Sequence, residues 1–237
     1  MSALAILQQT PGFADLPTPD LVDLADRMSQ RTFARGMIIF HKGSIGQSLY
    51  LIGSGHVRIF LLSETGREIS LEVLSRGDYF GELALLDNLP RSAGALAMER
   101  TVTYTLQRED FWRLLDAHPR LALPMLTLMG KRLRQMIDYA EHLAFTDVQG
   151  RVAAKLLELA ERFGETTGGA SGGGGAGIDL VLPMTQGELA TWVASSRESV
   201  NKVLGVFRDQ RLIRLDGQHI AILDQRGLRR WLASARV

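Results

Sequence analysis

Cysteine is absent from this chain of 237 residues. Disulfides, cysteine-ligated iron–sulfur clusters and thiol redox sensing are excluded together. Long apolar runs are missing too: none approaches the ~20 residues that a helix needs to cross a bilayer. The opening stretch, MSALAILQQTPGF, has neither a basic start nor a long apolar segment, so no secretory leader is expected. A cytoplasmic protein with no membrane partner is the expectation. The histidines, His41, His56, His118, His142 and His219, are scattered without metal-like spacing, so neither a metal site nor haem ligation is expected. No nucleophile–base pattern stands out, so no catalytic residue is named and an enzyme is not expected.

Charge of one sign is also scarce. The chain has 27 Lys+Arg against 26 Asp+Glu, a net of +1. Along the chain the balance is uneven. Residues 1–150 hold 15 basic and 17 acidic side chains, whereas residues 178–237 hold 9 and 6. A basic C-terminal part fits a phosphate-backbone partner, but an excess of this size carries little weight alone.

What is present is organised in three textures. Residues 19–30 read as a short amphipathic helix. From Arg31 to about Leu106, short apolar or alternating runs (GMIIF, SLYLI, HVRIFLL, EISLEVL, TVTYTL) are separated by glycine-containing turns. This is the pattern of many short antiparallel strands in a roll, barrel or sandwich. REDFWRLLDAH then reads as a helix stopping near Pro119. A longer helix is expected from Pro124, at its first position, to Ala144. Leu126, Met129, Leu133, Met136, Ala140 and Leu143 recur on it at alternating steps of three and four, the a/d seam of a two-helix dimer. A core helix packed on its own β-domain is the plainer alternative. DVQGRVAAKLLELAERFG is a further amphipathic helix. The stretch 164–177, with eight glycines, reads as a flexible loop. It is no P-loop, because no Gly-Lys-Ser/Thr follows.

Beyond the loop, IDLVLP is a strand candidate. Two short helices follow, each opening on a capping-box pattern: Thr185 with Glu188, and Ser195 with Glu198. A tight turn around Ala194 joins them, which is a helix-turn-helix layout. LIRLDGQHIAIL reads as a hairpin about Asp216–Gly217, and the whole as a winged helix. On the second helix Val200, Val203, Leu204 and Phe207 share one face. Arg197, Glu198, Asn201 and Lys202 fall opposite, in its first two turns. Glu198 and Lys202 have the spacing of a stabilising surface pair, worth ~0.2–0.5 kcal/mol. A helix-turn-helix, however, enters the major groove by this end. There Arg197 suits guanine O6 and N7, Glu198 suits a cytosine N4, and Lys202 suits a guanine or a phosphate.

SSRESVNKVLGVFRDQRLIR resembles the recognition helix of the cyclic-AMP receptor protein/FNR family of bacterial transcription regulators. The family's run stands here as Ser196, Arg197, Glu198, Ser199, Val200 and Lys202. The resemblance implies base-edge contacts from Arg197, Glu198 and Lys202 to a palindromic TGTGA-like site in double-stranded DNA. It implies phosphate contacts from Ser196 and Ser199, with Thr185 and Asn201 added to the DNA-contacting set. It runs from about Leu16 to the C-terminus, and LAFTDVQGRVAAKLLELA matches the family's hinge. A loop near the glycine-rich segment touches RNA polymerase in relatives, which makes the polymerase a candidate partner.

The second motif is GELALLDNLPRSA, from Gly81 to Ala93. It offers a glycine turn, a carboxylate and, near its end, an arginine followed by a hydroxyl. A carboxylate accepts from a sugar hydroxyl, and an arginine clamps a phosphate. The run resembles the phosphate-binding cassette of cyclic-nucleotide-binding domains. That implies ligand contacts from Gly81, Glu82, Leu83, Arg91, Ser92 and Ala93. Glu82 would take the ribose 2′-hydroxyl and Arg91 the cyclic phosphate, with Arg132 helping. In the cyclic-AMP receptor protein neighbouring Thr and Ser contact adenine; alignment through Leu143-Ala144-Phe145 puts Met136 and Ile137 there. Neither offers a hydroxyl, at ~1–3 kcal/mol per polar group left unpaired. Cyclic AMP or cyclic GMP is the expected allosteric ligand, with another small ligand or a ligand-independent seam left open.

The expected fold is α+β: an N-terminal cyclic-nucleotide-binding β-roll of jelly-roll type over residues 1–110, a dimerisation helix over 111–146 and a winged helix-turn-helix over 147–237. The expected function is a homodimeric, sequence-specific DNA-binding regulator under small-ligand control. The alternative is a cyclic-nucleotide-binding module that acts on a protein partner.

Overall fold

The computed structural model describes residues 2–163, 165–167, 177–181, 186–216 and 219–234. Contacts divide the chain into two compact units, Met1–Gln135 and Met136–Val237.

The first unit opens with α1 (Ala3–Leu7) and α2 (Thr18–Arg27). The strands that follow are β1 (Ser29–Phe33), β2 (Ile38–Phe40), β3 (Ser48–Ser54), β4 (Val57–Leu62), β5 (Glu68–Leu74) and β6 (Tyr79–Phe80). After α3 (Leu83–Leu86) come β7 (Gly94–Ala97), β8 (Thr101–Gln107) and α4 (Arg108–Ala117). A 3-10 turn over Pro119–Leu121 leads into α5 (Ala122–Phe145), which continues into the second unit. The strands form two antiparallel four-stranded sheets, ordered β1-β8-β3-β6 and β2-β7-β4-β5.

Strand β3 shows why its centre, LYLI, has no polar–apolar alternation. Successive side chains point to opposite faces. Tyr50 and Ile52 join Val57, Leu74, Phe80 and Ala95 in a cluster between the sheets. Leu49 and Leu51 point the other way and pack with Ile6, Leu24, Leu106 and Phe111 under the helices. Both faces are covered, so no polar residue alternates in.

Two expected helix boundaries move. The helix foreseen over 19–30 ends at Arg27, because Met28 is extended and β1 starts at Ser29. Arg27 closes its last turn by bonding Asp23 at 2.8 Å, one turn back. Helix α5 begins two residues before Pro124, so that proline is third rather than first. It still lies in the first turn, where its missing N–H leaves no intrahelical bond unmade.

The second unit holds the end of α5, then α6 (Val148–Phe163), β9 (Glu165–Thr167) and β10 (Gly177–Val181). There follow α7 (Gln186–Trp192), α8 (Arg197–Asp209), β11 (Ile213–Asp216), β12 (His219–Ile222) and α9 (Gln225–Ser234). Its sheet is ordered β11-β12-β10-β9, so the IDLV of IDLVLP is strand beside the wing hairpin, while Leu182 and Pro183 lie outside the described residues. Asp147 starts α6 by accepting the Gly150 N–H at 2.8 Å. The core is Val152, Leu156, Leu189, Val203, Leu204 and Phe207, with Ile220 and Leu228, all buried. The wing register pairs Asp216 with His219, so Asp216 is the last strand residue rather than a turn residue; Gly217 lies outside the described residues. Most of the glycine-rich loop, 168–176, is likewise outside them, as is Thr185 with its expected cap.

Candidate functional site

In the first unit, β6 ends at Gly81, whose φ of 84° lies in the left-handed region open to glycine. This turn delivers Glu82 to the N-cap position of α3, only 2% exposed. Its Oε1 accepts from Arg132 Nη1 at 2.6 Å, and its Oε2 has no hydrogen-bond partner among the described residues. Arg132 also donates to the Tyr79 carbonyl at 2.9 Å, and its Nε stands 3.4 Å from Glu72 Oε2. Burial works against the Arg132 charge, but the two carboxylates outweigh it and hold the guanidinium protonated more firmly than usual.

Arg91 lies across the same turn, 5% exposed. Its Nη1 donates to the Gly81 carbonyl at 2.6 Å and its Nη2 to the Ser48 carbonyl at 2.7 Å. The guanidinium lies over the Phe40 ring at 4.2 Å, a cation–π contact. Burial draws its pKa downward, partly opposed by Tyr50 and Glu82. Its Nε has no hydrogen-bond partner among the described residues. A Cβ at Gly46 would come within 2.9 Å of that Nε, so the wall behind the arginine is bare backbone.

Two buried orphan atoms therefore share one cradle: a carboxylate oxygen that needs an O–H or N–H donor, and a guanidinium N–H that needs an acceptor. Each costs ~1–3 kcal/mol or more while unsatisfied. A sugar hydroxyl and a phosphate oxygen supply the two missing partners, so these residues fit a cyclic nucleotide. Gly81, Glu82 and Arg91 are brought together as expected, while Ala93 is buried and Leu83 and Ser92 are exposed. Arg132 is committed to Glu82 and the Tyr79 carbonyl. Met136 and Ile137 belong to the second unit, the former half-buried and the latter exposed.

In the second unit, α7 stops at Trp192 and the chain turns through Ala194, at a φ of 47°. The cap of α8 is Ser196, one residue later than the expected Ser195: its Oγ accepts the Ser199 N–H at 3.1 Å. The turn through Ala194 takes up Ser195, whose N–H bonds the Ala190 carbonyl at 3.0 Å. Val200, Val203, Leu204 and Phe207 are buried as the spacing requires. Arg197, Glu198, Asn201 and Lys202 are exposed, and Ser199 is half-buried. Among the described residues no ion pair joins Glu198 to Lys202 or engages Arg197. The surface-pair reading of this stripe therefore finds no contact behind it.

Residues 30–118 match the model of the cyclic nucleotide-binding domain, and residues 150–231 match that of the Crp-like helix-turn-helix domain. The chain is 34% identical to the CRP-like cAMP-activated global transcriptional regulator of Mycobacterium tuberculosis over 225 residues, 95% of this chain and 97% of that protein. The chain belongs to the Crp/Fnr family of transcriptional regulators. The Cyclic AMP receptor protein of Thermus thermophilus is 35% identical over 198 residues, 83% of this chain and 85% of the other. Among solved structures, the c-di-GMP responsive global regulator CLP of Xanthomonas campestris superposes with a TM-score of 0.76. It shares 21% identity, covers 88% of this chain and 100% of its own, and bears on the fold alone.

As a Crp/Fnr regulator the chain joins a ligand-binding domain to a DNA-binding one. Sequence reasoning missed one residue that this architecture uses. Arg151, in the first turn of α6, donates from Nε to the Val193 carbonyl at 2.9 Å and from Nη1 to the Thr146 carbonyl at 2.5 Å. One side chain thus ties the end of α5 to the turn that aims α8. Its partners are carbonyls about five and forty residues away, and no side-chain pattern signals a carbonyl.

Proposed function

We propose that this Crp/Fnr regulator binds palindromic DNA as a homodimer and that a cyclic nucleotide in the β-roll controls that binding. What supports the reading is the first two turns of α8, where exposed Arg197, Glu198 and Lys202 have no ion-pair partner among the described residues. Directing such groups at base edges costs side-chain freedom and hydration but breaks no ion pair among the described residues. The relatives named as cAMP-activated support a cyclic nucleotide, and the orphan atoms of Glu82 and Arg91 support the cradle between them as its site. Helix α5 supports the dimer. Leu126 is 65% exposed and Leu133 62%, while Ala140 and Leu143 are also exposed and Met129 and Met136 are half-buried. Leucines exposed in a seam seven residues apart fit burial against a second copy. Paired recognition helices would then meet major grooves about 34 Å apart.

The test is Arg197→Ala. Against a TGTGA/TCACA duplex it loses about 1–3 kcal/mol of base discrimination, while affinity for a scrambled duplex changes little. Equal discrimination in wild type and variant would remove the base-reading role and favour a protein partner.

A further inference from the structure

We propose that Phe40 is the positioning residue that holds the Arg91 guanidinium ready for a phosphate. The inference rests on the cyclic-nucleotide reading of the β-roll and names the side chain that sets its anion clamp.

An irregularity in β2 places this ring. Neighbouring residues of a regular strand point to opposite faces. Ile39 and Phe40 are neighbours, yet both pack against the cluster between the sheets. The register with β7 gives the reason. Ile38 faces Leu96 and Phe40 faces Ala95, so two steps along β2 match one along β7. This is a β-bulge, which re-aims a side chain. In regular pairing Phe40 would share the face of Ile38, which is 40% exposed. The bulge gives it the face of Ala95 instead, which is fully buried.

Once turned inward, the ring is anchored. Its centroid is 5.7 Å from that of Tyr50 and 5.8 Å from that of Phe80. Those two buried rings are themselves stacked, 5.1 Å apart. The Arg91 guanidinium lies over Phe40 at 4.2 Å, against 5.7 Å for Tyr50. The Gly81 and Ser48 carbonyls take one N–H from each Nη, and each Nη carries two. The carbonyls thus hold the edge of the guanidinium, and the ring holds its plane. The remaining N–H groups keep one orientation before an anion arrives, which spares the ligand the cost of ordering them.

The ring also acts on the charge itself. Burial disfavours the charged arginine. The negative face of an aromatic ring offsets part of that cost, and a leucine of similar bulk has no such face.

The experiment is equilibrium dialysis of the full-length protein with labelled cyclic AMP and labelled cyclic GMP at one pH and salt concentration, with calorimetric melting of each variant. Phe40→Leu should weaken whichever nucleotide wild type retains by about three- to thirtyfold, the range of a partly desolvated cation–π contact. Where both are retained, both should weaken alike, because the cyclic phosphate is common to them. Phe40→Tyr keeps the ring face and should stay within about twofold of wild type. Trifluorophenylalanine at position 40 keeps the shape but drains the negative face, so it should lose most of what Phe40→Leu loses. A role in packing alone would spare this variant, and it decides the matter if Phe40→Leu does not fold. Wild-type affinity in the folded Phe40→Leu or trifluorophenylalanine protein overturns the role of Phe40 while leaving a nucleotide site standing. A loss in Phe40→Tyr as large as in Phe40→Leu, or a loss confined to one of two retained nucleotides, overturns it too. Retention of neither nucleotide by wild type overturns the nucleotide reading, and the role of Phe40 with it.

Discussion

Gly46→Ala should disable the ligand cradle while leaving the fold in place. A Cβ at this position would lie 2.4 Å from the Ala84 Cβ, 2.9 Å from Arg91 Nε and 3.0 Å from Arg91 Cζ. Ordinary carbon–carbon contact is about 3.5–4.0 Å, so something must retreat by an ångström or more. Ala84 is on α3 and 3% exposed, with little room to move. Arg91 is the longer side chain and gives way first, although bonds to the Gly81 and Ser48 carbonyls and the Phe40 ring resist it. Overpacking of this kind costs about 1–3 kcal/mol. At about 2–4 °C per kcal/mol the melting temperature falls by roughly 2–12 °C. The loss of ligand affinity is a separate quantity. A hydrogen bond to a charged group contributes about 1.5–3 kcal/mol, so displacing Arg91 from a phosphate weakens binding by roughly ten- to a hundredfold. Calorimetric titration with a cyclic nucleotide measures this, and differential scanning calorimetry measures the stability. Wild-type affinity in a folded Gly46→Ala protein would refute Arg91 as the phosphate clamp.

Three further outcomes are expected. Leu133→Glu removes a leucine from each side of the proposed seam, at about 1.5–3 kcal/mol per side chain, so sedimentation velocity should show dissociation at concentrations where wild type is dimeric. Ser196→Ala removes the cap that accepts the Ser199 N–H and costs about 1 kcal/mol, seen as a lower melting temperature and weaker duplex discrimination. Burial, reinforced by the Glu82 carboxylate, pushes the Tyr79 hydroxyl up to about 12. The folded state then holds a proton that the unfolded state releases near pH 10, so stability should fall as pH rises from about 10 to 12. Tyr79→Phe should flatten that fall in alkaline denaturation curves, and an unchanged slope would contradict it.

The legible parts of this fold are those where one element carries its own signal. Strand β3 announced itself as LYLI because both faces are covered, and α8 by the spacing of Val200, Val203, Leu204 and Phe207. Strands β1 and β7 did not. SQRTF is almost wholly exposed and shows no alternation. GALA is short, and it opens on glycine because the Phe60 ring fills the space a Cβ at Gly94 would need, 2.6 Å away. The cap of α8 was ambiguous for a different reason. Ser195 and Ser196 both stand before the helix, and only the left-handed turn at Ala194 selects the second. Gly81, Glu82 and Arg91 were legible as one motif, whereas the tie from Arg132 to Glu82 spans 50 positions and leaves no local trace.

Control of DNA binding by a ligand in the β-roll is tested most directly by fluorescence anisotropy on a labelled TGTGA/TCACA palindrome and a scrambled duplex. Salt must be held at one concentration, because phosphate contacts make affinity steeply salt-dependent. The titration is run without nucleotide, with cyclic AMP and with cyclic GMP. A saturating nucleotide should tighten binding to the palindrome and leave the scrambled duplex nearly unaffected. The same affinity for the palindrome in all three conditions would contradict control by a cyclic nucleotide, and equal affinity for both duplexes would contradict sequence-specific recognition.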